Sequence, residues 1–327
     1  MIRITQEEIT KNWKSEKYLN PLVSINCLTY NHEFYIAEAL DGFLSQKTDF
    51  PFEVIVHDDA STDKTAEIIR EYEKKYPKII KPIYESENQW SKKDGSLERI
   101  MNSACKGKYI AFCEGDDFWI NEKALQMKVD YMEKKDGCGL VYSKAKTYYQ
   151  ETKVYGVPRG KKISKFNELI FKGNCIPTCT TLFRRDLYNK YLEEIQPSEK
   201  KWLMGDYPLN LWFVKNSKIK FMPKVTGVYR ILKESASHSK NLDFLINFSS
   251  STNNILNFYK NKYNLNIEMP DYVKYVKFCY YNARNDRQGI LSNSDFSKMP
   301  YVSMRLKIKV MIFKNDFLYG VFKKIKK

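Results

Sequence analysis

The sequence has no long hydrophobic run. Its longest apolar stretches are only a few residues, such as Val310 to Phe313, whereas a membrane-spanning helix needs about 20. The opening segment, Met1 to Lys17, is polar and mixed in charge, and it lacks the apolar core of a secretory signal. We therefore expect a cytoplasmic protein without a transmembrane helix.

Cysteine and histidine are scarce as well. The seven cysteines are odd in number and irregularly spaced, which argues against a disulfide framework and favours a reducing compartment. Histidine occurs only at His32, His57 and His238, and Cys175 and Cys179 lack partner ligands at zinc-binding spacing. The sequence therefore does not support a zinc site.

Glycine-rich phosphate-binding motifs are also missing. No G-x-G-x-x-G follows the first predicted strand, and neither G-x-x-x-x-G-K-[ST] nor G-x-S-x-G occurs. A nucleotide would therefore have to be bound by carboxylates and a metal ion, because no glycine-rich cradle is available.

Positive charge is in excess, with a formal net charge of +16. The excess is concentrated near the C-terminus, where Met304 to Lys327 carries many lysines and arginines against one acid, Asp316. Such an excess can attract nucleic acid, anionic lipid or a phosphorylated substrate. Charge alone leaves these three partner classes open.

The first half of the chain alternates short β-rich runs with helical patterns. We predict strands at Leu22 to Leu28, Phe52 to Val56, Ile79 to Tyr84 and Tyr109 to Cys113. Asn31 is expected to cap the first intervening helix, and Gly107 to end the helix before the fourth strand. This alternation predicts βαβ units on a parallel sheet.

Polar clusters follow three of the predicted strands. These clusters are Thr29 to Asn31, Asp58 with Asp59, and Glu114 to Asp117. Ligands of parallel sheets bind outside the carboxyl ends of the strands, so we expect the clusters to converge on one crevice. Taken singly, Asp58 and Asp59 are equally well explained as turn formers or helix caps.

The tract from Glu114 to Asp117 contains three carboxylates in four residues. Clustered carboxylates repel one another unless a cation lies among them, and Mg²⁺ or Mn²⁺ is commonly held by one or two carboxylates and substrate phosphates. A solvated acidic turn that caps the next helix explains the tract equally well.

Two segments together resemble a known family. Pro21 to Thr65 and Lys106 to Trp119 are similar to the donor-binding and metal-binding segments of bacterial family 2 glycosyltransferases of the GT-A fold. The resemblance implies an α/β fold with a Rossmann-like, mixed, mostly parallel sheet flanked by helices. It further implies a catalytic domain over residues 1–240 and a basic helical C-terminal extension over residues 241–327.

The same resemblance implies an inverting transferase that uses a nucleotide-diphosphate sugar, with a UDP-sugar favoured. Asp58 and Asp59 match the base-recognising pair of the family, and Tyr30 its base-stacking position, with Thr29 and Asn31 beside them. These five residues are the predicted nucleotide-binding set at the first two strand ends.

Further residues match the reacting end of the donor. By resemblance, Glu114 and Asp116 hold Mn²⁺ or Mg²⁺ with Asp117 alongside, Asp206 is the general base, and Arg230 binds the diphosphate. Glu114 departs from the first Asp of the family motif. Leu232 stands where many relatives have a histidine, so we expect His238 to provide a metal or phosphate contact.

The resemblance also implies a partner class. The acceptor is expected to be a glycan or a lipid-linked glycan in bacterial surface polysaccharide synthesis. An apolar stripe near the C-terminus predicts a helix on an anionic membrane, at the inner face of the plasma membrane. The stripe consists of Leu306, Val310, Phe313, Phe317 and Val321. The alternative is that this stripe packs on the rest of the fold.

Two other function classes each fit part of the sequence. A sugar nucleotidyltransferase also uses acids and Mg²⁺ on an α/β nucleotide fold, but the glycine-rich basic loop shared by those enzymes does not follow the first strand here. A basic RNA-binding protein would fit the isoelectric point of about 9.3. No RNA-recognition signature accompanies the charge, and the acidic crevice opposes RNA, so no nucleic-acid partner is expected.

Overall fold

A computed structural model gives the fold and describes residues 4–14, 20–233, 241–284, 286–294, 304–316, 318, 319 and 322. The chain divides into two compact units. The first comprises Met1–Lys165, Asn174–Lys201 and Leu209–Leu232, and the second Phe166–Gly173, Trp202–Pro208 and Lys233–Lys327. The predicted domain boundary at residue 240 stays a prediction.

The described part of the first unit is built on one nine-stranded sheet. Its strands are β1 (Val23–Thr29), β2 (Phe52–Asp58), β3 (Ile80–Tyr84), β4 (Tyr109–Phe112), β5 (Phe118–Trp119), β6 (Cys138–Tyr149), β7 (Val154–Tyr155), β8 (Thr181–Arg184) and β9 (Lys218–Ile231). The order is β3-β2-β1-β4-β8-β6-β9-β5, and β7 pairs with β6.

Pairing in the sheet is mixed but mostly parallel at the side that carries the predicted site. β1 runs parallel to β2 and β4, and β2 parallel to β3. β8 pairs antiparallel with β4 and β6, and β5 antiparallel with β9. The predicted fold class is therefore confirmed, including the four strands placed in the first half of the chain.

Helices flank the sheet or form the second unit. In chain order they are α1 (Gln6–Thr10), α2 (Ile36–Leu44), α3 (Thr65–Lys75), α4 (Gln89–Lys92), α5 (Ser96–Ala104), α6 (Ala124–Lys134), α7 (Phe166–Lys172), α8 (Arg185–Ile195), α9 (Asp206–Asn216), α10 (Leu242–Lys262), α11 (Tyr272–Ala283), α12 (Arg287–Ser292) and α13 (Met304–Lys314). α2 shows the reason for their placement, because Ile36, Leu40 and Phe43 fall on one face and are buried.

Two predicted helix caps are wrong. Tyr35, not Asn31, precedes α2, and Asn31 instead adopts a left-handed backbone with φ 53°. α5 ends at Ala104 with Cys105 as its cap, so the helix stops three residues before Gly107, which lies between α5 and β4. A side chain at Gly107 would place its Cβ 2.5 Å from the backbone nitrogen of Ser24, so glycine is needed there for a close backbone approach.

The second unit is helical in its described part. The Tyr259 hydroxyl on α10 donates to the Pro208 carbonyl at 2.7 Å, and the Tyr272 hydroxyl on α11 donates to the Ile170 carbonyl at 3.0 Å. A separate cluster joins α11, α12 and α13 and contains the buried residues Phe278, Ile290, Val310 and Phe313. These contacts give the unit a core of its own.

The predicted membrane stripe is largely internal where it is described. Val310 and Phe313 are buried in the α11–α13 cluster, as expected if the stripe packs on the fold. The Leu306 side chain, Phe317 and Val321 lie outside the described residues. Other apolar side chains of α13 are exposed, namely Met304, Ile308 and Met311. None of the described helices has the length and apolar character needed to cross a bilayer.

Candidate active site

The carboxyl end of β1 brings two of the predicted polar clusters side by side. Thr29, the last residue of β1, is paired in register with Asp58, the last residue of β2. The backbone nitrogen of Asp59 donates to the Thr29 carbonyl at 3.0 Å. The predicted convergence of these two strand ends is therefore present in the structure.

The acidic loop, Glu114 to Asp117, is fixed to the same strand end. The Gly115 nitrogen donates to the Leu28 carbonyl at 2.8 Å. A Cβ at Gly115 would lie 2.8 Å from Thr29 Oγ1 and 3.1 Å from His32 Nδ1. The loop can approach β1 this closely because the residue between Glu114 and Asp116 has no side chain.

Several buried polar atoms at this edge lack a hydrogen-bond partner among the described residues. They are Thr29 Oγ1, His32 Nδ1, Asp58 Oδ1 and Asp116 Oδ1. Buried polar groups are nearly always paired, so unpaired ones call for an explanation such as a bound ligand or ion. Four such atoms lie together at the ends of β1 and β2 and in the acidic loop, which makes this edge the candidate binding site.

His32 belongs to this edge although the sequence interpretation assigned it no role. Its pKa is lowered by burial, while the charge of Asp116 acts in the opposite direction. The signal that could have found it is its position, immediately after the polar segment Thr29 to Asn31. A single histidine at that position is not part of a recognisable motif, so the sequence alone does not predict a role for it.

The two aspartates that follow β2 have different surroundings. Burial raises the pKa of Asp58, and hydrogen bonds from Ser61 oppose that rise. Asp59 uses both carboxylate oxygens within the protein: Oδ1 accepts from the Gln89 nitrogen at 2.6 Å and Oδ2 from the Trp90 nitrogen at 3.1 Å. Asp59 thus anchors α4, and its predicted contact with a base stays a prediction.

Tyr30 and Asn31 continue the β1 strand end in different ways. The Tyr30 side chain is 45% exposed, as a surface for stacking requires. Asn31 connects the segment after β1 to the turn after β2. Its side-chain Oδ1 accepts from the Thr62 backbone nitrogen at 2.8 Å, and its own backbone nitrogen donates to Ser61 Oγ at 2.9 Å. Asn31 therefore shapes the site edge.

Within the acidic loop the three acids differ in exposure. Glu114 is exposed, Asp116 is half-buried, and Asp117 is buried. The Arg230 backbone nitrogen donates to Asp117 Oδ1 at 2.8 Å. Burial and the neighbouring Asp116 charge raise the pKa of Asp117 well above its usual range. Asp117 therefore anchors the loop, and its predicted contact with the donor stays a prediction.

Arg230 is enclosed by protein groups. Its side chain is 4% exposed, and its guanidinium carbon lies 4.9 Å from the Tyr35 ring centre and 5.1 Å from that of Phe118. Nε donates to the Asp116 carbonyl at 2.7 Å. The structure places Arg230 in contact with the acidic loop, while its predicted contact with a diphosphate stays a prediction.

The fit of a cation depends on the carboxylates of the acidic loop. In the described ranges, no three His, Cys, Asp or Glu side chains are grouped as a complete metal site. His238 lies outside the described residues. The orphaned Asp116 Oδ1 is the oxygen ligand that Mg²⁺ or Mn²⁺ prefers, and such ions take further ligands from substrate phosphates. The residues present therefore fit a cation bound together with a diphosphate.

Asp206, the predicted base, is the first residue of α9 and belongs to the second unit. Its Oδ1 accepts from the Tyr207 nitrogen at 2.8 Å, and the residue is half-buried. The carboxylate is thus held at a helix start. Its catalytic role stays a prediction.

Comparison with known proteins identifies the family context of this site. The Glycosyl transferase family 2 profile matches residues 24–192, more than half of the chain. An uncharacterized protein of Mycobacterium tuberculosis is 32% identical over 232 residues, which are 68% of this chain and 62% of that protein. The chain thus spans less than two thirds of that relative's length.

Solved structures share the fold. Staphylococcus aureus TarS 1-349 in complex with UDP-GlcNAc matches with a TM-score of 0.54 at 19% identity, over 89% of this chain and 79% of that one. The mannosyltransferase PcManGT of Pyrobaculum calidifontis, in complex with GDP-Man and Mn²⁺, matches with a TM-score of 0.53 at 16% identity, over 92% and 85%. At these identities the likeness shows the fold alone.

The two hydrogen bonds of Asp59 give a direct test. Replacing Asp59 with Asn leaves one acceptor oxygen and sets an amide NH₂ against a backbone N–H. We expect Asp59→Asn to lower the free energy of unfolding by about 1–3 kcal/mol, measured by urea denaturation, and to speed amide exchange over residues 85–93. The control is Asp136→Asn, an exposed acid. Unchanged stability and exchange in Asp59→Asn would remove the anchoring role.

Proposed function

This chain belongs to glycosyl transferase family 2, and from that premise we propose that it moves a sugar from a UDP-sugar to an acceptor hydroxyl with inversion at the anomeric carbon. The observation that carries the proposal is the pairing of Asp58 with the β1 end and the acidic loop beside it, where Asp58 Oδ1 and Asp116 Oδ1 are buried without a described partner. The nucleotide complexes of TarS and PcManGT support a nucleotide-sugar donor.

The nucleoside of the donor is assigned to the β1 and β2 ends. Asp58 accepts hydrogen bonds from the base or the ribose through its free oxygen, since a carboxylate offers acceptors only. Thr29 Oγ1 supplies a second polar contact, and Tyr30 stacks on the base. Asn31 and Asp59 support these residues through the backbone hydrogen bonds that they accept.

The diphosphate and the cation are assigned to the acidic loop. Asp116 and Glu114 would hold Mn²⁺ or Mg²⁺, and His238 is proposed as an additional ligand. Such a cation, when bound, offsets the negative charge that develops on the leaving diphosphate. Asp116 is the better supported of the two carboxylates, because its Oδ1 is buried and has no described protein partner.

Asp206 is assigned the proton transfer. The acceptor hydroxyl attacks the anomeric carbon while the bond to the nucleotide diphosphate breaks, and Asp206 takes the hydroxyl proton as the new glycosidic bond forms. A positioned carboxylate is suited to this role in its ionised form. The start of α9 favours that form, because a helix N-terminus stabilises negative charge.

The acceptor is proposed to be a glycan or lipid-linked glycan of bacterial surface polysaccharide synthesis, at the cytoplasmic face of the plasma membrane. Support comes from the exposed apolar face of α13, where Met304, Ile308 and Met311 lie at helical spacing. The basic residues of the same C-terminal segment are attracted to anionic lipid.

Metal dependence is the first test of this function. EDTA should abolish UDP release from a panel of UDP-sugars, and Mn²⁺ or Mg²⁺ should restore it. Asp116→Asn should lose at least about 10² in turnover, the order that a charge-stabilising group supplies, without a loss of stability. Asp136→Asn is the matched control. Full activity in EDTA would rule out the cation.

The base assignment is tested separately. Asp206→Asn keeps the size of the side chain but cannot accept a proton, so kcat should fall by roughly 10² to 10⁴. The affinity for UDP, measured by calorimetry, should stay the same because Asp206 is not assigned to the donor. The control is Asp243→Asn, an exposed acid of the second unit. Normal turnover, or a defect confined to UDP affinity, would assign the base elsewhere.

Membrane association is tested with vesicles. The full chain should float with phosphatidylglycerol vesicles and not with phosphatidylcholine vesicles, and added salt should weaken the binding. Replacing Met304, Ile308 and Met311 together with Ser should lower the bound fraction several-fold. Val157→Ser, at an exposed residue of the first unit, is the control. Equal flotation of the triple variant and the wild type would mean that this face does not touch lipid.

A further inference from the structure

Three protein groups converge on the Arg230 guanidinium. Nε donates to the Asp116 carbonyl at 2.7 Å, Nη1 to Gln150 Oε1 at 2.5 Å, and Nη2 to Glu38 Oε2 at 2.5 Å. We propose that Glu38 and Gln150 are positioning residues of the donor site, which act through Arg230 to fix the acidic loop. This inference rests on the proposed function, because it concerns the same site.

The network joins four separate parts of the first unit. Glu38 lies on α2, Gln150 directly follows β6, and Arg230 lies on β9, while Asp116 and Asp117 belong to the acidic loop. Arg230 also binds the loop through its backbone, since its nitrogen donates to Asp117 Oδ1 at 2.8 Å. The loop is thus held from one side by β9, in addition to its contact with β1.

The hydrogen bonds of Arg230 do not involve the Asp116 carboxylate, which is the proposed metal ligand. Arg230 contacts Asp116 through the main-chain carbonyl and Asp117 through its carboxylate. The Asp116 carboxylate receives neither bond, and its Oδ1 has no partner in the described part of the chain. The network can therefore set the position of Asp116 without competing for the oxygen that a cation needs.

Glu38 supplies the charge that Arg230 requires. A buried guanidinium is costly unless it is paired and hydrogen-bonded. Arg230 is 4% exposed and Glu38 is 51% exposed, so the pair lies where a buried cation meets a carboxylate at the surface. Loss of the Glu38 carboxylate leaves the guanidinium without its ion-pair partner and weakens its hold on the loop.

Gln150 is a second side-chain acceptor for the Arg230 guanidinium. It accepts from Nη1 and is placed by the β6–β9 pairing, in which Tyr148 is opposite Arg230. The guanidinium carbon lies 5.4 Å from the Tyr148 ring centre. The fork of an arginine suits two acceptors in fixed directions, and a lysine in its place would lose that geometry.

Amide exchange of the acidic loop tests the network without relying on catalysis. Glu38→Ala should increase exchange over residues 113–119 several-fold and leave the rest of the sheet protected. Glu38→Gln keeps an acceptor oxygen for Nη2 and should show a smaller increase. The control is Glu133→Ala, because Glu133 likewise binds two donors, Lys108 at 2.6 Å and Tyr109 at 2.5 Å, away from the loop.

Cation affinity supplies the second readout. Residues that support metal ligands typically change metal affinity by about 10–100-fold when removed. With UDP present, Glu38→Ala and Gln150→Ala should weaken Mn²⁺ binding by about this factor, measured by electron paramagnetic resonance of the free ion, while Glu133→Ala should not. Arg230→Lys should weaken it too, since the charge remains but the fork is lost.

The outcomes separate this inference from the function on which it rests. Faster loop exchange together with weaker Mn²⁺ binding supports the positioning role. Unchanged loop exchange, or Mn²⁺ binding by Glu38→Ala at the wild-type affinity, overturns it. A wild-type protein that binds UDP but no Mn²⁺ overturns the proposed cation, while loop exchange still decides whether Glu38 positions the loop.

Discussion

The attachment of the acidic loop to the end of β1 is the constraint on which the site depends. Two main-chain hydrogen bonds make it, from the Cys113 nitrogen to the Asn26 carbonyl at 3.1 Å and from the Gly115 nitrogen to the Leu28 carbonyl at 2.8 Å. They extend the pairing of β1 with β4 beyond the last residue of β4. The loop cannot leave β1 without breaking these two hydrogen bonds. Asp116 therefore stays beside the end of β1, at the edge of the sheet where the polar strand-end residues lie.

The surrounding residues divide into those that hold this arrangement and those left open for a ligand. Asp59, Asn31 and Asp117 use their side-chain oxygens to accept backbone N–H groups. Asp58 and Asp116 each keep one buried oxygen without a described partner. Since an unpaired buried acceptor is costly, this division is the reason why we propose anchoring for the first group and ligand binding for the second.

Periodicity and strand-end composition predicted the first four strands, the parallel sheet and the meeting of Thr29 with Asp58. β8 was not predicted, because its four residues lie in an irregular stretch and pair antiparallel with a strand far along the chain. The different tasks of Asp58 and Asp59 were not predictable either, since both are aspartates in one turn. The bond of Arg230 to Glu38 joins positions 192 residues apart, which local pattern does not encode.

The most direct test of the proposed site is a crystal structure of the full chain with UDP and Mn²⁺, with the manganese located by its anomalous scattering. We expect a manganese peak in contact with the Asp116 carboxylate and the UDP diphosphate, with the uracil ring beside Asp58 and Tyr30. A manganese peak remote from the acidic loop, or UDP bound away from the β1 and β2 ends, would contradict it.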